Sequence, residues 1–239
     1  LYLGMLAESL WAAGGFAAAI AALERAASVS GALTLSHPLV LLHLGPLEEA
    51  IELLTPFVEL ETDPQRRSIA QVGLARAHLW LEQPEESKWL LADAQRTLQG
   101  TKVERYQLPI DVLQRVLRND LTGAVDGLLQ SQTSCAPHER AEMAVDVGDA
   151  LAASTPSADL IRRYLALTSE IAHRGVRHHV EELRSILAAR LGDRERSQAM
   201  LDHARHDLER LTERLPVESR ERLSEHPWTR SLRRLRVVP

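Results

Sequence analysis

The sequence predicts an all-α fold, a solenoid of antiparallel helical hairpins. Three observations lead there: a composition weighted toward helix formers, an internal repeat of about 36 residues, and glycine or proline between paired helical segments. Aromatic residues make up only 4% of the 239, while Ala, Leu, Glu and Arg dominate. Those are the side chains that lose least on entering a helix. No stretch shows the sustained alternation of a strand.

The repeat is clearest in GFAAAIAALERA (15–26), GPLEEAIELLTPF (45–57), PEESKWLLADA (84–94) and GDRERSQAMLDHA (192–204). Each carries a small residue with apolar residues four and seven places later, which are offsets on one helical face. The small position falls at Ala19, Ala50, Ser87 and Ala124, then at Ser197. The last interval, 73 residues, is twice the others and predicts a further unit near Leu160, where PSADLIRRYLAL (156–167) supplies a helix. Four places on stand Leu23, Leu54, Leu91, Leu128, Tyr164 and Leu201; seven places on stand Ala26, Phe57, Ala94, Ser131, Leu167 and Ala204. A small residue lets two helices cross closely, and the large residue four places on fills the gap to the next hairpin.

Each of these helices follows another across a turn at Gly14-Gly15, Gly45-Pro46, Gln83-Pro84 or Gly192-Asp193. Glycine ends one helix and proline opens the next. One hairpin cannot bury its apolar face alone, so the units must stack. The expected organisation is an array of about six hairpins over 1–215, followed over 216–239 by a capping helix, opened by Pro216, and a basic tail.

The small anchor, the turn glycine and the aliphatic offsets of four and seven resemble the tetratricopeptide repeat, best over 1–31, 67–95 and 180–205. Leu6-Ala7, Leu74-Ala75 and the helix around Leu183 and Ile186 stand where that family has its Leu-Gly pair. The sequence departs from the pattern where His37-Pro38 shortens a first helix, at Asp111, where the family has leucine, and at Leu160, where it has alanine. The wide spacing is similar to the repeats of large multidomain bacterial signalling proteins, transcriptional regulators and kinases. The ending LTERLPVESRERLSEHPWTRSLRRL (211–235) resembles the close of such arrays. The resemblance implies a right-handed superhelix and a non-enzymatic interaction or regulatory scaffold. With Leu1-Tyr2-Leu3 already in a helical pattern, it also implies a piece of a longer chain.

A net charge of −5 provides no drive toward a phosphate backbone, so nucleic acid is a poor first expectation. No apolar run approaches the roughly 20 residues of a membrane span. The single Cys135 can form no internal disulfide, which suits a cytoplasmic protein. Cys135 stands three residues before His138 and reads as a loop thiol beside a helix start. His178 and His179 with Glu181 and Glu182, and His203 with His206, offer near pairs of metal-ligand type. Ten histidines on a charged helical surface produce such pairs by chance, so neither metal nor cofactor is expected. An all-α metal enzyme, or nucleic-acid binding through Arg230, Arg233, Arg234 and Arg236, are the alternatives.

Partner binding is expected on the inner face of the superhelix, formed by the first helix of each hairpin. Counting back from the anchors places Trp11, Glu8, Val72, Arg76, Leu79, Trp80, Glu182 and Ile186 there. Family members that grip a peptide carboxylate carry Asn and Lys at two of these positions. This chain has neither, leaving an apolar or mixed groove for a protein or peptide, or for neighbouring domains. Trp11 and Trp80 could equally pack between hairpins. Leu1, Leu3 and Leu6 form an N-terminal edge suited to self-association.

Overall fold

The protein is described as a computed structural model. The structure describes residues 35–45, 47–101, 104–171 and 176–229, with Leu6, Leu10, Gly15, residues 18–23 and Arg25 before them. Among these residues there is no strand, and the fold is all-α.

The helices are α1 (Ser36–Leu44), α2 (Leu47–Leu60), α3 (Pro64–Trp80), α4 (Pro84–Leu98), α5 (Glu104–Leu117), α6 (Leu121–Ser134), α7 (Pro137–Ala153), α8 (Ala158–Leu167), α9 (Arg177–Arg190), α10 (Arg194–Arg214) and α11 (Val217–Glu225). They fall into two compact units. The first holds Leu1–Ile110 and Thr212–Pro227; the second holds Asp111–Leu211 and Trp228–Pro239.

In the first unit α1 packs on α2, α2 on α3 and α3 on α4, while α1 also meets α3 and α11. In the second, α6 packs on α7 and α8, α8 meets α9, and α7 meets α9. Helix starts follow from local chemistry. Asp63 Oδ1 accepts the Gln65 N–H at 2.9 Å ahead of Pro64, and Asp120 Oδ1 accepts that of Gly123 at 3.0 Å. Each satisfies a donor that the first turn leaves without an intrahelical partner.

Four of the helix-to-helix turns repeat one hydrogen bond at one distance from the anchors. Gly15, Gln83, Asp120 and Asp193 each donate their N–H to the carbonyl five residues back, in Leu10, His78, Arg115 and Ala188. In every case the acceptor of that bond lies nine places before the anchors Ala19, Ser87, Ala124 and Ser197. Glu82, Asn119 and Gly192, five places before the last three anchors, adopt φ of 60°, 58° and 80°. This is the Schellman closure, a left-handed residue followed by a six-to-one bond. The Gly45-Pro46 turn departs from it, because proline has no N–H to donate. There Gly45 instead donates to Leu41 at 2.7 Å.

The anchors Ala19, Ala50, Ser87, Ala124, Leu160 and Ser197 are all buried, as are Leu23, Leu54, Leu91, Leu128, Tyr164 and Leu201 four places on. Seven places on, Ala94, Ser131 and Ala204 are buried and Phe57 and Leu167 half-buried; Ala26 lies outside the described residues. At the α9–α10 crossing Ser185 Oγ donates to the Ser197 carbonyl at 2.8 Å, so the small anchor does mark a close approach. Leu160 departs in size, and its hairpin adjusts at Gly148 on α7. A Cβ there would lie 2.3 Å from the Tyr164 hydroxyl.

Candidate functional site

In the first unit, α3 carries four of the residues expected on a partner-binding face. Val72 and Arg76 are buried, while Leu79 and Trp80 are half-buried. Trp80 packs against the core of Leu41, Leu42, Leu47, Ala50 and Ala77, which come from α1, α2 and α3 itself. Its indole meets the imidazole of His43 edge-on at 5.7 Å and that of His226 at 6.1 Å. His226 Nε2 donates to the Leu42 carbonyl at 3.1 Å, bringing a residue 184 positions distant onto α1. Glu8 and Trp11 lie outside the described residues, as do Leu1 and Leu3; Leu6 is exposed. Trp89 is 62% exposed.

In the second unit, α9 carries Glu182 and Ile186, the first buried and the second half-buried. Here the surface expected around His178, His179, Glu181 and Glu182 is corrected: all four side chains are buried. The reason is that α9 packs against α7, where His179 meets Asp149, while Glu181 and Glu182 find partners within the helix. His179 Nδ1 lies 2.9 Å from Glu182 Oε2, and Nε2 lies 3.3 Å from Asp149 Oδ1 on α7. Glu181 accepts from Arg184 Nη1 at 2.7 Å. The indole of Trp228 lies flat on the His179 ring, centroids 4.4 Å apart and 7° from parallel. Burial works against the imidazolium, but the charge and hydrogen bond of Asp149 and those of Glu182 outweigh it, raising the His179 pKa to about 9.

Burial also pushes the Tyr164 hydroxyl far above its ordinary 10.0, with Asp149 and Glu181 reinforcing and Arg184 opposing. Tyr164 therefore stays protonated and donates to the Ala144 carbonyl at 2.9 Å. Among the described residues no group of three or more His, Cys, Asp or Glu side chains is placed to hold a metal ion. His203 and His206 are exposed on α10, and Cys135 is half-buried at the end of α6. The arginines from 230 onward lie outside the described residues, and no helix among those described is long and apolar enough to cross a membrane.

A cavity of about 570 Å³ in the second unit is lined by Ser154, Thr155, Pro156, Ala158, Ile161, Arg190 and Leu191. Arg190 is the charged group in this lining, and its Nη1 already donates to the Leu151 and Ser154 carbonyls at 3.0 and 2.7 Å. That guanidinium holds the end of α7.

Sequence reasoning missed His43, Asp149, His226 and Trp228. Asp149 and His179 stand 30 positions apart, beyond any local spacing rule. The one visible signal was His226-Pro227-Trp228, a helix break carrying two rings.

These features define an all-helical protein with a buried imidazole–carboxylate cluster in one unit and a ring cluster in the other. Comparison with protein-family models, curated proteins and solved structures finds no match.

Proposed function

We propose that the chain is a tetratricopeptide-like array of stacked helical hairpins serving as a non-enzymatic protein-interaction or regulatory scaffold. The observation that supports this reading is the repeated turn: the same six-to-one closure stands nine residues before four anchors, and each of those anchors is buried. Repetition of both local geometry and burial marks one supersecondary unit used several times. Such arrays present helix faces to extended or helical peptides. Leu79 and Ile186 are the half-buried aliphatic members of the expected face, with surface left to meet a partner.

Photo-crosslinking from single positions in cells tests this. Probes at Leu79 and Ile186 should each give discrete protein adducts that a probe at the exposed Trp89 does not. Adducts indistinguishable from those at Trp89, or none, would count against an interaction array.

A further inference from the structure

Helix α11 is attached to the first unit in an unusual way. Of its nine residues only Leu223 is buried, whereas α9 buries ten of fourteen. It rests on α1. Arg222 on one side of Leu223 reaches the Glu49 carboxylate at 3.4 Å, with both side chains partly in solvent. His226 on the other side donates to Leu42 O at 3.1 Å and meets Trp80 edge-on. The segment thus grips through residues i, i+1 and i+4. That is the spacing with which a short helix presents anchors to a groove, not the all-round burial of a core helix.

The face beneath supplies matching chemistry. Leu42 lies in the last turn of α1, where carbonyls lack intrahelical partners and the helix dipole is negative. Glu49 adds a carboxylate on α2, and Trp80 at the end of α3 adds an aromatic ring set edge-to-face with His226. An acceptor and a negative charge, side by side, select a segment that presents an N–H donor and a guanidinium around one aliphatic anchor.

We propose that this face of α1, α2 and the end of α3 is a peptide-docking surface for which residues 217–226 act as an internal ligand. The external partner it fits is a short helix carrying Arg, Leu and His at i, i+1 and i+4. The proposal rests on the interaction-array reading and specifies its partner chemistry. A tethered ligand competes at an effective concentration in the millimolar range, so weakening its polar grip opens the face to a free peptide.

The test uses the full chain and a fluorescein-labelled peptide of residues 216–227, read by anisotropy. Arg222→Glu combined with His226→Ala in the chain should bind the peptide at least tenfold more tightly than the unaltered chain. A peptide carrying the same two substitutions should not bind. Glu49→Arg in the chain should reverse the preference, favouring an Arg222→Glu peptide. Hydrogen exchange in the double variant should rise over 212–227 and stay unchanged over 64–80. Equal binding by both chains, binding by neither, binding of the substituted peptide, or accelerated exchange across 64–80 would each overturn the internal ligand. Peptide binding without cellular adducts at Leu79 and Ile186 overturns the array reading alone; adducts without peptide binding overturn only the internal ligand.

Discussion

The imidazole of His179 lies parallel to the indole of Trp228, with ring centroids 4.4 Å apart. A charged imidazole on an indole face gains from the ring quadrupole, and Asp149 and Glu182 hold that charge in place. Because the folded pKa, about 9, stands above the ordinary 6.5, protonation of His179 stabilises the fold fully below pH 6.5. That contribution is lost as pH rises through 9. The unfolding free energy measured by denaturant titration should therefore fall between pH 6.5 and 9.5, by up to about 3 kcal/mol from this group. His179→Gln should flatten that slope, and an NMR titration of the ring should show the raised pKa directly.

Trp228 itself should matter through packing. It is 5% exposed, and truncating a buried tryptophan costs about 3 kcal/mol or more. Urea unfolding of Trp228→Ala should show a loss of that size, whereas Trp89→Ser on the exposed surface should stay within about 0.5 kcal/mol of the parent.

Gly148 and Tyr164 form a size-matched pair across α7 and α8. A Cβ at 148 would lie 2.3 Å from the hydroxyl and 2.8 Å from Leu183 Cδ1. Gly148→Ala should cost about 2 kcal/mol. Tyr164→Phe should cost about 1 kcal/mol through the bond to Ala144 O. The double variant should cost less than the sum, since removing the hydroxyl relieves the shortest contact although Cζ at 2.9 Å and Leu183 Cδ1 still crowd the methyl; thermal unfolding in a double-mutant cycle measures the difference.

The repeated turn makes opposite predictions at equivalent positions. Gly192→Ala puts a side chain on a φ of 80° and should destabilise by about 1 kcal/mol. Glu82→Gly relieves a φ of 60° at the matching place and should stabilise by about 1 kcal/mol. If both changes destabilise, Glu82 contributes something besides turn geometry.

Enlarging an anchor should damage the fold more than enlarging its exposed neighbours. Ala124→Leu forces three carbon atoms into a fully buried site and should cost about 2 kcal/mol or more. Asp126→Leu, on a side chain 53% exposed, should change stability little by overpacking, which chemical denaturation can compare.

The anchors, their partners four places on, and the helix centred near Leu160 were legible in the sequence, because burial on one helical face imposes a spacing that a linear chain displays. The turn at Gly192 was legible because glycine ends helices, and there it adopts a φ of 80°. At Glu82 and Asn119 it was not, since closing the hairpin imposes φ above zero on residues that do not favour it. Spacing also placed His179 and Glu182 on one helical face, but spacing does not say what that face meets. The pairing with Asp149 and Trp228, 30 and 49 positions away, turned an expected surface into a buried cluster. The return of His226 to Leu42 is likewise invisible along the chain.

The sequence by itself determined the all-helical class, the period and the buried stripe of each unit, all consequences of side-chain size repeating at helical intervals. Only the tertiary structure decided which polar groups are buried and what lies over Trp80. Those outcomes depend on contacts between distant segments, whose energies no local pattern records.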